Sequence, residues 1–299
     1  MKFKLALVAF VVAAFAVAAA TVPVSAQWEK RANPSVPRLP NGNVNLDAPT
    51  PKAADGHPDL SGLWTRAPGD GRGGRGRAAG GNAANGQPAA PPPPPGTPPA
   101  ATFGNLGANM EGGLPLTPWA DALLKKRDGD KSKENPDANC MPMGFTQFHQ
   151  QPQPREIIQL KDKILIIYEA NYGLRQIYTD GRTLPKQGDP QPQWYGYSVG
   201  HWEGDTLVVE SNNLRGAEDG PFDGWLDVRG SPYTREAKFT ERFTRPSYGR
   251  LRIDVTLEDP KAYTKPFTVR INQQILADTE LIEFICNENQ QFRRRVKID

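Results

Sequence analysis

The stretch Arg250-Leu251-Arg252-Ile253-Asp254-Val255-Thr256-Leu257-Glu258 decides the fold. Leu251, Ile253, Val255 and Leu257 fall on one face, and Arg252, Asp254, Thr256 and Glu258 on the other. That period of two marks a strand with one buried and one wet face. A strand-like run over 236–245 precedes it across the turn Pro246-Ser247-Tyr248-Gly249, and Phe267, Val269 and Ile271 repeat the alternation after it. Further upstream, Ile157 to Leu160 and Ile164 to Tyr168 flank Lys161-Asp162, and Leu174 to Thr179 runs into the hairpin-type dipeptide Asp180-Gly181. Tyr197 to Trp202 and Thr206 to Glu210 flank Glu203-Gly204-Asp205, and Glu280 to Cys286 reads as the last strand. About nine strands joined mostly by short turns make an antiparallel meander. A flat sheet of that width exposes long edges, so the expected fold is mainly β, an up-and-down barrel, with a two-sheet sandwich as the alternative.

The chain has 299 residues, a formal net charge of +3, 23% charged and 37% hydrophobic residues, 29 glycines, 30 prolines and two cysteines. These values exclude a polyelectrolyte, a membrane helix bundle and a disulfide-dense mini-fold. Residues 1–26 read as a signal peptide: Lys2 and Lys4, an apolar run from Leu5 to about Val22, and the small-residue site Val24-Ser25-Ala26. An uncleaved membrane anchor is the alternative. With cleavage the protein is exported, periplasmic or extracellular, and keeps no stable membrane anchor. The mature chain is then near neutral, with no electrostatic reason to bind nucleic acid. In an oxidising compartment the even cysteine count favours a Cys140–Cys286 disulfide over two buried thiols.

Beyond the signal, 27–52 is an extended, proline-rich leader and 53–66 a first ordered segment bringing Leu60, Leu63 and Trp64. Residues 67–101 are a low-complexity Gly/Pro-rich insertion with Arg72, Arg75 and Arg77; they read as a flexible segment, or alternatively as an Arg-Gly arm. The β-rich domain covers 102–290, and a basic tail 291–299. One short helix is expected at 117–128, with Thr117 as cap, Pro118 in the first turn, Asp121 complementing the dipole and Gly129 as its stop.

Four segments carry a family resemblance: Asp55-Gly56-His57-Pro58-Asp59-Leu60-Ser61-Gly62-Leu63-Trp64, Cys140-Met141-Pro142-Met143-Gly144, Trp202-Glu203-Gly204-Asp205-Thr206-Leu207-Val208-Val209 and Cys286-Asn287-Glu288-Asn289. In this order the chain resembles a large group of exported bacterial proteins of unknown function, over roughly 53–66 and 114–290. The resemblance implies secretion and a β-rich body, and supplies no catalytic residue. Gly62-Leu63-Trp64 is also similar to the G-x-W signature of lipocalins, which implies a lipocalin-like barrel; the insertion after Trp64 departs from that pattern.

Aromatic residues cluster at Trp194, Tyr195, Tyr197 and Trp202, either as barrel core or as a platform for a sugar or apolar ring. Glu203 and Asp205 flank a glycine and read as turn formers rather than an acid–base or cation site. His57, His149 and His201 titrate near neutrality but lack metal-ligand spacing, and no nucleotide, hydrolase or zinc motif occurs. No metal and no cofactor are expected. Glu241 is in phase with Phe239 and Phe243; an ion pair on the outer wall is the first reading, and the alternative is an inward charge that needs a partner, Arg175 or Arg155. Three functions follow. The first is an exported barrel binding a small apolar, aromatic or sugar-like ligand through Trp194, Tyr195, Tyr197, Trp202, Arg175 and Arg155. The second is a hydrolase or isomerase using Glu241, His201 or His149. The third is an extracytoplasmic interaction module. Whether the chain is an enzyme, and its oligomeric state, are not legible.

Overall fold

The computed structural model describes residues 31–68, 94–189 and 191–286. The signal 1–26, most of the insertion with its three arginines, and the tail 291–299 lie outside the described residues. Nine strands form one closed barrel in sequence order: β1 Gly62–Arg66, β2 Arg155–Gln159, β3 Lys163–Tyr168, β4 Gly173–Tyr178, β5 Tyr197–Glu203, β6 Thr206–Asn212, β7 Lys238–Ser247, β8 Arg250–Glu258 and β9 Phe267–Ile275. The barrel reading is therefore right and the sandwich alternative is not. The alternation in β8 holds across the sheet: Leu251, Ile253, Val255 and Leu257 are buried, in register with Ile271, Val269 and Phe267 of β9 and with Phe239, Glu241 and Phe243 of β7.

An odd number of strands cannot alternate in direction all the way round a closed ring. One neighbouring pair must run parallel, and here it is β4 and β5, whereas every other neighbouring pair is antiparallel. The hairpin expected at Asp180-Gly181 is accordingly absent, because a parallel pair requires a crossover connection, supplied by residues 179–196. The two strands pair only at Ile177 with Ser198 and Tyr178 with Val199.

The expected last strand is also corrected. Residues 281–286 are irregular, bonded through the Ile282 amide to Glu169 Oε2 (3.2 Å) and the Phe284 amide to the Tyr172 hydroxyl (3.0 Å). The closing strand is β1, which pairs with both β2 and β9 and leaves no edge for a further strand. Where β1 stops, Pro99 to Ala101 take over the pairing with Arg270 of β9, so the insertion's last residues belong to the sheet.

Both ends of the barrel are closed. At one end the leader lies across the β5–β6 and β7–β8 turns. His57 stacks on Trp202 at 4.6 Å, and its Nδ1 faces the Gly204 carbonyl oxygen at 3.2 Å. Lys52 pairs with Asp205 at 2.7 Å, and the Tyr248 and Gly249 amides donate to Ala48 and Leu46. Inside that end, Trp64 is fully buried beneath the Arg245 guanidinium, which donates to the carbonyls of Asp59, Ser61 and Tyr248. The opposite end is filled by a short helix that sequence reading misses.

Two helices occur. Helix α1, Pro118–Gly129, starts on the expected Thr117 cap, whose hydroxyl accepts from the Ala120 amide at 3.3 Å. It runs through Gly129 rather than stopping there; Asp130 ends it, and the left-handed residues are Lys131 and Ser132. Helix α2, Phe145–Gln150, is buried at every position. The disulfide Cys140–Cys286 forms, with Cα atoms 5.6 Å apart, and ties the C-terminal segment to the loop entering α2. No helix among the described residues is long and apolar enough to cross a membrane.

A bridge spanning 146 positions restricts the unfolded chain by roughly 4 to 5 kcal/mol at most. Replacing Cys140 and Cys286 together with serine is therefore expected to lower the denaturant midpoint, by an amount equivalent to a few kcal/mol, with the β signature in far-UV circular dichroism retained. An unchanged midpoint contradicts this.

Candidate functional site

The weakly zipped β4–β5 seam carries the candidate site. On the far side of its two paired positions the strands diverge, and a hollow of about 230 Å³ opens between them. Its walls are the outward-facing Leu174, Gln176 and Tyr178 of β4, with Tyr197 of β5. Gln193, Tyr195 and Gly196 approach from the crossover connection. Ser198 completes the lining, although it faces the barrel interior in register with buried Ile177 and Ser211.

Local sequence explains the opening. Gly196 has φ +63°, and a Cβ there would sit 2.5 Å from the Asn212 carbonyl oxygen, so the bend leading into β5 requires glycine. A Cβ on Gly173 would lie 2.9 Å from the Phe148 ring and 3.0 Å from the Tyr195 hydroxyl. The missing side chain lets Phe148 of α2 and Tyr195 of the connection meet at the start of β4, with ring centroids 5.7 Å apart. No lining residue of the hollow carries a formal charge; amide, hydroxyl and phenol groups dominate.

Behind Ser198 lies a charged centre. Glu241 on β7 points inward and is fully buried, so the outer-wall ion pair is ruled out. Its partner is Arg175 of β4: Nη1 donates to Oε1 at 3.1 Å, and Nη2 donates to Oε2. Arg175 also donates to Ser198 Oγ from Nε (3.3 Å) and Nη2 (3.2 Å), and to Ser211 Oγ (3.0 Å), and its guanidinium lies 3.8 Å from the Phe145 ring centroid. His149 of α2 places Nε2 3.1 Å from Glu241 Oε1. Arg155, the other sequence candidate, does not pair with Glu241; it donates to the backbone carbonyls of His149, Gln151 and Gln153 and pins the end of α2.

Burial works against ionised Glu241, but Arg175 and His149 outweigh it and hold the carboxyl down at about 2. For His149 burial dominates; with Arg175 and Arg155 nearby it overcomes the pull of Glu241 and lowers the imidazole to about 4. Burial opposes charged Arg175, and Glu241 more than restores it, leaving it above its ordinary value. At neutral pH the centre therefore holds a carboxylate, a guanidinium and a neutral imidazole whose Nε2–H donates to Glu241. Its Nδ1 has no hydrogen-bond partner. Tyr168, whose ring stacks on Phe148 at 4.3 Å, lies against Arg175, yet its hydroxyl lacks a hydrogen bond of good geometry.

The sequence candidates separate accordingly. Tyr195 and Tyr197 line the hollow, and Arg175 stands behind it. Trp194 packs under Arg215 outside it, and Trp202 lies beneath His57 at the strapped end. His149 and Glu241 converge but are sealed, while His201 is exposed on the outer wall, 3.3 Å from Glu203. His201 therefore shares no site with the other two. Gln176, Tyr178, Gln193 and the Ser198–Ser211 pair were missed. The serines carry a legible signal, since both fall on the inward phase of their strands. A second hollow of about 280 Å³, near Phe103, Asn135 and Val228, contains none of the candidates. Among the described residues no group of three or more metal-ligating side chains comes together.

Two outcomes test this centre. Glu241→Gln leaves Arg175 buried without its counter-ion and is expected to cost about 3 to 5 kcal/mol in denaturant unfolding. His149 has a folded pKa below its unfolded value of 6.5, so the unfolded chain takes up the proton first. The contribution of neutral His149 is present above pH 6.5 and is lost as pH falls toward 4, by on the order of 3 kcal/mol in full. His149→Gln is expected to flatten that part of the stability–pH curve; parallel curves for the two proteins would refute it.

Scans of the chain against family models, curated proteins and solved structures found no match.

Proposed function

We propose that this is an exported β-barrel that binds a small, uncharged, sugar-like ring in the hollow at the β4–β5 seam. The observation that carries the reading is the lining of that hollow: Tyr195 and Tyr197 beside Gln176, Gln193 and Ser198, with no charged side chain. Aromatic faces with amide and hydroxyl edges match the apolar faces and polar rim of a sugar ring. The size agrees, because about 230 Å³ is below the roughly 300 Å³ at which sites for drug-sized molecules begin, so one ring is the natural occupant. Ligand entry through an open end, as in a calyx, has no support here, since α2 fills one end and the leader straps the other.

Export is supported by the charge and apolar pattern of residues 1–26, by the resemblance to exported bacterial proteins, and by the disulfide. In this reading His149 and Glu241 are structural: they are buried, they touch each other and Arg175, and neither lines the hollow at the seam.

The test is a titration with phenyl β-D-glucopyranoside, followed by calorimetry and by saturation transfer to the ligand's protons. Binding in the micromolar to low-millimolar range is expected. Tyr195→Ala and Tyr197→Ala should each weaken it about 3- to 10-fold, the range of a lost aromatic contact. No binding, or equal binding by both variants, refutes the assignment.

A further inference from the structure

We infer that the hollow reads its ligand through main chain: the Leu174 carbonyl oxygen and the Gln176 amide, left open by the bend at Gly196, take a donor and an acceptor from adjacent carbons of the bound ring. The inference rests on the reading that the hollow binds a sugar-like ring, and names the part of the ring that is read.

It follows from the pairing of β4. The Thr179 amide donates to the Asp162 carbonyl oxygen at 3.0 Å, in line with the pairing of Tyr178 with Lys163. Bonded and non-bonded pairs alternate along antiparallel strands. Ile177, Arg175 and Gly173 therefore turn their N–H and C=O groups to β3, and Tyr178, Gln176 and Leu174 turn theirs to the seam. In a parallel pair the slanted bonds of one residue run to the two neighbours of the residue it faces. Ser198, facing Ile177, thus serves the Gln176 carbonyl and the Tyr178 amide.

Two residues earlier, Gly196 would serve the Leu174 carbonyl and the Gln176 amide in the same way, had β5 run on straight. It bends away at φ +63°, and its amide donates instead to the Gln193 carbonyl oxygen at 3.3 Å. Pairing ends at Ile177–Ser198, and among the described residues no other group takes the two open positions. Leu174, Gln176 and Gly196 all line the hollow, so the open edge borders it. The Gln176 side chain is held from the β3 side, its Oε1 accepting from Lys163 Nζ at 3.2 Å.

The occupant must supply what Gly196 withholds, a donor and an acceptor on adjacent carbons. In a parallel strand ψ near 115° sets the N and O of one residue about 65° apart around the Cα–C bond. Adjacent equatorial substituents of a pyranose stand about 60° apart, the same staggered relation. Two neighbouring equatorial hydroxyls, one donating to Leu174 and the other accepting from Gln176, therefore reproduce the missing residue. The ligand class is a neutral pyranose carrying such a pair.

Hydrogen exchange of the unliganded wild-type protein, read by NMR, tests the edge by itself. The Gln176 amide is expected to exchange at least about 100-fold faster than those of Arg175 and Ile177; equal protection overturns the inference. On titration with phenyl β-D-glucopyranoside the Gln176 amide should become protected and its proton should move downfield. Gln176→Pro removes that N–H while leaving the β3–β4 bonds in place, and should weaken binding about 3- to 10-fold beyond Gln176→Ala, which keeps the N–H. Glucoside binding that leaves the Gln176 amide unmoved, with both variants alike, overturns the inference and leaves the ring reading standing. N-acetylglycine N-methylamide carries the donor and the acceptor without a ring. If it moves the Gln176 amide and the glucoside does not bind, the ring reading fails and the main-chain contact stands; if neither moves it, both fail.

Discussion

A closed ring of nine strands must contain a parallel pair, and much of this molecule follows from where that pair falls. Where a tight turn joins antiparallel neighbours the strands zip along most of their length, as β7 and β8 do from Lys238–Glu258 to Ser247–Arg250. The parallel pair instead needs a long crossover, and its strands stay together only at Ile177–Ser198 and Tyr178–Val199. The seam is a topological necessity; its use as a recessed surface is what the sequence adds. Gly173 and Gly196 remove side chains where the strands part, and Tyr195 and Phe148 move into the space.

A barrel with a weak seam needs its wall held by something other than backbone bonds. The Arg175–Glu241 pair does this across the interior, joining β4 on one side of the seam to β7, and through Ser198 and Ser211 to β5 and β6. Burying such a pair is not by itself a gain over apolar packing, because desolvation consumes most of the attraction. What it supplies is position: Glu241 has too many committed partners for β4 to shift relative to β7 without stranding a charge. His149 adds α2 to the same set, so the helix that fills the end of the barrel is in register with the strands that form it.

Much of this was legible in the sequence. The period-2 alternation gives β8 and β9, and the turns at Lys161-Asp162 and Glu203-Gly204-Asp205 give two hairpins; the phase of Glu241 with Phe239 and Phe243 allows the buried acid, although the outer wall is the first reading. The failures have physical causes. Residues 280–286 have strand composition but no edge to join, since β1 already closes the ring, and local propensity carries no information about edges. Helix α2 is too short to show a sustained period, although Phe145, Phe148 and His149 stand at helical spacing. The parallel seam was hidden because Asp180-Gly181 reads as a hairpin turn wherever it occurs; strand parity, which depends on the total count, overrules it. The hollow's polar residues, Gln176 and Gln193, belong to a strand face and to a connection, and nothing local brings them together.

The four segments that carried the family resemblance gain a physical meaning from where they lie. They pair off: the first meets the third where His57 covers Trp202, and the second meets the fourth in the Cys140–Cys286 bridge. One contact straps the barrel at the turn end, and the other anchors the loop that delivers α2 into the opposite end. Neither contact borders the hollow at the seam. In the proposed reading ligand contact falls to Tyr195, Tyr197, Gln176 and Gln193, at positions none of those segments includes. With both ends of the barrel covered by fixed contacts, the seam that parity requires is where its wall opens.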